Sequence, residues 1–154
     1  MELKIGGAAP DFELEDQFSE SHKLSSYRGK KVILYFYPKD NTPGCTTEAC
    51  SFRDNFFAFK KHGIVILGVS ADSADSHAKF QQKYSLPFTL LADTDHKVCE
   101  TYGVWQLKKM MGKEYYGIVR TTFILDEEGK IVQIYEKVKP ENHVQEILEL
   151  LKLE

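Results

Sequence analysis

Val32-Ile33-Leu34-Tyr35-Phe36-Tyr37 is an unbroken run of apolar and aromatic residues closed by Pro38. A run with no polar side to turn to water predicts a strand covered on both faces, as in a sheet flanked by helices. The next segments keep to that plan. From about Cys45 to His62, Phe52, Phe56 and Phe59 recur at helical spacing and Gly63 offers a stop, which predicts one amphipathic helix. Ile64 to Ser70 predicts a second buried strand, and Ala71 to Tyr84 a helix with Asp72 or Ser73 as N-cap. A strand, helix, strand order implies parallel pairing.

Phe88 to Ala92 reads as a short third strand and Thr94 to Tyr102 as a helix ending at Gly103. Thr121 to Leu125 and Ile131 to Tyr135, joined by the Gly-containing turn Asp126 to Lys130, read as a β-hairpin, and Glu141 to Leu151 as the last helix. Lys108 to Tyr116 has no clear period and reads as a loop. The sum is an α/β fold of thioredoxin-like type, a central mixed β-sheet flanked by helices with its antiparallel pair late in the chain. With 154 residues, 42% of them hydrophobic, the chain has material for one core, so a single domain over 1–154 is expected.

A net charge of −3, with lysines interleaved among acids, supplies no field to collect phosphates, so nucleic acid is not an expected partner. No run approaches the roughly 20 apolar residues of a membrane span, and Met1 to Gly7 lacks the apolar stretch of a secretory signal. Three cysteines are too few and too odd for a disulfide framework and fit a reducing compartment, so a cytoplasmic location is expected. His22, His62, His77, His96 and His143 show no i, i+4 pairing and read as surface residues.

The chemistry concentrates where the first strand hands over to the first helix, in Pro38-Lys39-Asp40-Asn41-Thr42-Pro43-Gly44-Cys45-Thr46-Thr47-Glu48-Ala49-Cys50. Cys45 falls in the first helical turn, beside unpaired backbone N–H groups and the positive end of the macrodipole, and both favour a thiolate nucleophile. A hydroxyl at Thr42 lies close enough in sequence to bond the thiolate or a substrate oxygen. Pro38 and Pro43 fix the backbone on either side of the turn, as ordinary turn prolines also do.

Cys50 is five positions beyond Cys45. On a regular helix that separation places the two Cα atoms about 8 to 9 Å apart, beyond the roughly 7 Å a disulfide tolerates. A bond between them therefore requires the helix to unwind. Cys50 as a small buried hydrophobe is the alternative reading. The spacing is too long for a Cys-x-x-Cys metal knuckle, and neither a metal nor a cofactor is expected.

Pro38-x-x-x-Thr42-x-x-Cys45 resembles the active-site motif of the peroxiredoxins. With Cys50, Phe36-Tyr37-Pro38 before it and Phe52-Arg53-Asp54 after it, the segment is similar to the peroxiredoxin Q, or bacterioferritin comigratory protein, subgroup. The similarity runs from Gly6-x-x-Ala9-Pro10-x-Phe12 through Phe88-x-Leu90-Leu91-x-Asp93 and Tyr102-Gly103-Val104-Trp105 to Arg120-x-Thr122-Phe123. The resemblance implies a peroxidase of hydrogen peroxide and organic hydroperoxides, with Cys45 as peroxidatic and Cys50 as resolving cysteine. Thr42 and Arg120 would bind the peroxide, with Pro43 and Gly44 lining its site, and Pro38 would shield the sulfur. Glu48 is a further candidate, and Cys99 reads as a buried structural thiol. Thioredoxin or a similar dithiol protein would be the reductant, and the subgroup is commonly monomeric with dimers among its members. A redox sensor or holdase-like protein using the same Cys45 switch is the competing class; repeated turnover separates the two.

Overall fold

Every residue of the strand Val32–Phe36 is buried, as a run without a polar face requires. In the computed structural model, which describes residues 3–153, this strand lies inside a seven-stranded mixed sheet. In chain order the strands are β1 (Glu13–Glu15), β2 (Ser21–Lys23), β3 (Val32–Phe36), β4 (Val65–Ser70) and β5 (Thr89–Ala92). They continue with β6 (Trp105–Met110), β7 (Lys113–Ile118), β8 (Thr121–Leu125) and β9 (Ile131–Tyr135). The helices are α1 (Pro43–Asp54), α2 (Phe56–Lys61), α3 (Ala74–Tyr84), α4 (Lys97–Thr101) and α5 (His143–Leu150). The sheet order is β2-β1-β5-β4-β3-β8-β9; β4 runs parallel to β3 and β5, and β8 runs antiparallel to β3 and β9. This is the expected thioredoxin-like arrangement.

The strand period of two divides the core. Ile33, Tyr35 and Tyr37 face Phe52, Phe59, Phe80 and Ile147 on one side, while Val32, Leu34 and Phe36 face Cys99, Tyr102 and Phe123 on the other. Tyr35 stacks on Phe52 of α1 with ring centroids 4.7 Å apart. Across the β3–β4 ladder, a Cβ on Gly68 would meet the Tyr35 ring at 2.9 Å, so only glycine lets the ring lie flat beneath α1.

Three expectations need correction. The predicted helix Cys45 to His62 is two helices, broken at Asn55, whose side-chain amide donates to the Ser51 carbonyl and competes with the helix for it. Lys108 to Tyr116 is not a loop but most of the β6–β7 hairpin, turned by Met111 and Gly112, both at positive φ as the tight hairpin turn demands. His77 and His143 are fully buried rather than on the surface, because each is hydrogen-bonded within the fold. The helix expected over Thr94 to Tyr102 is present but shorter, since the buried Asp93 carboxylate caps its start by accepting from the Val98 and Cys99 N–H groups.

Candidate active site

β3 ends at Phe36, and the loop after it delivers the chain to α1. Thr42 takes the N-cap position in extended backbone conformation, and Pro43 opens the helix where a missing N–H costs nothing. The first helical bond runs from Thr46 N–H to the Thr42 carbonyl at 2.8 Å. Cys45 thus sits in the first turn as the sequence indicates, 1% exposed.

Arg120 arrives from the far end of the chain, in the link between β7 and β8. Its guanidinium divides its donors: Nη2 donates to Cys45 Sγ at 3.4 Å, and Nη1 donates to Glu48 Oε1 at 2.8 Å. Glu48, one turn after Cys45 on α1, is fully buried, while the Arg120 side chain keeps 14% exposure. Burial pushes the Glu48 carboxyl up to about 7, and the Arg120 charge opposes that rise. For Arg120, burial works against the charge, but Glu48 and Cys45 more than offset it and raise its pKa. Glu48 Oε2 and the Tyr35 hydroxyl are buried without a hydrogen-bond partner. Burial, with the charges of Glu48 and Cys45, pushes the Tyr35 phenol well up.

The other candidates lie around this centre. The Thr42 hydroxyl donates to the Lys39 carbonyl at 2.9 Å, which leaves its oxygen lone pairs to accept a hydrogen bond from a bound molecule. Gly44 lies against Arg120, Pro38 is half-buried and Pro43 exposed. Cys50 is half-buried, Cys45 and Cys50 are both free thiols, and α1 runs unbroken through them. Cys99 is fully buried, and burial together with Asp93 pushes its thiol far up, as suits a structural residue. Lys108, placed in a loop by its sequence context, is half-buried on β6 and donates to the Ile118 carbonyl at 2.9 Å, its pKa lowered by burial and by Arg120.

A nucleophilic sulfur, a cationic fork and a hydroxyl acceptor in one place suit attack on a small polar molecule that accumulates negative charge as it reacts. Asp40, Asp72 and His77 also come close enough together to hold a cation, but both Asp40 carboxylate oxygens, Asp72 Oδ2 and both His77 ring nitrogens are already hydrogen-bonded within the fold.

Residues 5–134 match the AhpC/TSA family. Over 152 residues the chain is 53% identical to peroxiredoxin Bcp of Bacillus subtilis, covering 99% of this chain and 97% of that protein. It is 47% identical to peroxiredoxin Bcp of Escherichia coli over 150 residues, 97% of this chain and 96% of that one. Among solved structures, a mutant of Xylella fastidiosa peroxiredoxin Q superposes with a TM-score of 0.93 at 35% identity, covering 99% of this chain and 97% of that one. The bacterioferritin comigratory protein of Xanthomonas campestris, described by its alkyl peroxide reduction activity, gives 0.87 at 40% identity over 92% of this chain and 90% of that one.

Proposed function

Because this chain belongs to the AhpC/TSA family and is a peroxiredoxin of the Bcp and Q type, a peroxidase that passes thiol electrons to peroxide, we propose that Cys45 is its peroxidatic cysteine and Cys50 its resolving cysteine. The observation that carries the assignment is the Arg120 guanidinium donating to the Cys45 sulfur at 3.4 Å in the first turn of α1. As a thiolate, that sulfur makes a charge-assisted hydrogen bond to a group that can also follow charge onto a peroxide oxygen.

In the proposed cycle the Cys45 thiolate attacks the nearer oxygen of hydrogen peroxide or an organic hydroperoxide. The O–O bond breaks, sulfur is oxidised to sulfenic acid, and the leaving oxygen takes a proton to become water or alcohol. Thr42 accepts a hydrogen bond from the peroxide, Arg120 stabilises both oxygens, Pro43 and Gly44 line the approach, and Pro38 limits water. Helix α1 then unwinds over its first turns, the Cys50 sulfur displaces hydroxide from the sulfenic acid, and water leaves as the disulfide forms. An external dithiol protein such as thioredoxin reduces that bond by exchange and leaves as its own disulfide. Glu48 holds Arg120 in register rather than reacting. The three thiols, all free, suit a reducing cytoplasmic location, and the proposed assembly is the monomer common in the subgroup, with a dimer as the alternative.

The test pairs two variants with mass spectrometry. Cys45→Ser abolishes peroxide consumption, while Cys50→Ser permits one fast oxidation and then stalls at sulfenic acid. Full turnover by Cys45→Ser, or an oxidised wild type whose disulfide runs through Cys99, rejects the assignment.

A further inference from the structure

The unwinding segment has two flanks, and both are tied to the same helix. On the upstream side, Asp40 is buried and hydrogen-bonded at every polar atom but its carbonyl. Its N–H donates to Asp72 Oδ2 at 2.8 Å, and its carboxylate accepts from Tyr37 Oη at 2.6 Å and Ser76 Oγ at 2.8 Å. The same carboxylate meets His77 Nδ1 at 2.7 Å, and the other ring nitrogen of His77 donates to the Leu91 carbonyl at 2.9 Å. Asp72 lies just before α3, and Ser76 and His77 are on it. Asn41, held at φ 60°, accepts from Tyr84 Oη at 3.3 Å.

On the downstream side, Arg53 Nη1 donates to the Tyr84 carbonyl at 2.8 Å. Tyr84, the last residue of α3, therefore holds both flanks of the segment, one through its hydroxyl and the other through its carbonyl. None of these contacts touches Cys45, Arg120 or a peroxide bound between them.

We infer that α3 is a brace fixing both ends of the segment that unwinds between the cysteines, with Asp40, His77 and Tyr84 as positioning residues of the disulfide-forming step. This rests on Cys45 and Cys50 being the reacting pair. With Asn41 and Arg53 pinned, the turns of α1 that unwind between them pay the entropy of a closed loop, whereas a segment with one loose end does not. The brace thereby keeps the opened form scarce, holds Cys45 beside Arg120 for the peroxide, and slows closure of the disulfide. While the sulfenic acid waits, a second peroxide can oxidise it to sulfinic acid, so the brace also sets how readily the enzyme is overoxidised.

The experiment is rapid quench with thiol trapping on wild type, Asp40→Asn and Tyr84→Phe, following sulfenic acid and the Cys45–Cys50 disulfide by mass spectrometry. Loss of a buried hydrogen bond to a charged group corresponds to roughly tenfold in an opening equilibrium, and of an exposed neutral one to about two- to threefold. Disulfide closure is therefore expected to accelerate about tenfold in Asp40→Asn and about two- to threefold in Tyr84→Phe. The peroxide step does not speed up in either, and the yield of sulfinic acid at high peroxide falls with the faster closure. Closure that is unchanged, or that slows together with the peroxide step, overturns the brace. Should Asp40→Asn fail to fold, Tyr84→Phe decides alone. A wild type that forms no Cys45–Cys50 disulfide rejects the cysteine pairing instead, so the two failures are distinct.

Discussion

A Cβ placed on Gly44 would lie 3.0 Å from Nη2 of Arg120, the nitrogen that donates to Cys45. The residue before the reactive sulfur is thus a glycine because the guanidinium rests on its backbone. The ring of Pro140, 3.5 Å from the same point, closes the other side. Gly44→Ala leaves the helix intact, since alanine is the better helix former, but displaces the guanidinium by a few tenths of an ångström. Misplacement of that order lowers the second-order rate with peroxide by about tenfold to a hundredfold, with the thermal midpoint of the reduced protein unchanged or higher. Stopped-flow peroxide consumption beside a thermal melt checks it; an unaltered rate would mean that the contact is slack.

Arg120→Lys tests the fork itself. One ammonium cannot reproduce two planar donors aimed at Cys45 Sγ and Glu48 Oε1, 3.4 and 2.8 Å away. The expected loss in the peroxide step is about a hundredfold, comparable to removal of one preorganised donor to a developing oxyanion. Disulfide formation after the sulfenic acid, which releases the fork's bonds to Cys45 and Glu48 as α1 unwinds, does not slow. Equal slowing of both steps would assign Arg120 a structural role only.

Glu48 makes a prediction about pH. Its carboxyl is raised from 4.5 to about 7 in the fold by burial, against the pull of Arg120. Between those values the folded state binds the proton and the unfolded state does not, so stability from this group is fully present below about pH 4.5 and lost as pH rises through 7. The full excursion is on the order of 3 kcal/mol. Glu48→Gln keeps an acceptor for Arg120 and removes the titration. The difference in stability, variant minus wild type, should therefore grow from pH 5 to pH 8, measured by urea unfolding of the reduced proteins. A difference that is flat across that range counts against the buried, proton-holding carboxyl.

How legible all this was in the sequence depends on how far each constraint reaches along the chain. The strands β3, β4, β8 and β9 announce themselves because most of the residues they bury are apolar. The β6–β7 hairpin did not, because only Ile118 of its two strands is fully buried, so neither strand alternates between apolar and polar positions. Cys45 could be placed from its helix start, since capping is local. Arg120 could not be distinguished by spacing from Arg28 or Arg53, for its contact with Cys45 spans 75 positions; only the family motif singled it out. The pairing of Asp40 with His77 is hidden in the same way, since it joins residues 37 positions apart inside the fold. The break at Asn55 carries neither proline nor glycine, and its cause is a side-chain bond to a carbonyl one turn back.

The same packing fixes how far α1 can open. Phe52 is fully buried and meets Tyr35, Phe59, Phe88 and His143 with ring centroids 4.7 to 6.3 Å away. Extracting such a ring costs about 3 to 5 kcal/mol by the measure of core Phe→Ala changes, so unwinding that starts at Pro43 stalls before it. Cys50, two residues earlier and only half-buried, lies on the side of that barrier that can move. Hydrogen exchange of the oxidised protein should then run at least about a hundredfold faster than in the reduced protein across residues 46 to 53, whose amides lose their helical acceptors. Amides of α2, β3 and β8 should exchange alike in the two forms. Identical exchange across 46 to 53 would show that the disulfide forms without unwinding α1, and acceleration extending into α2 or β3 would show that Phe52 is no barrier.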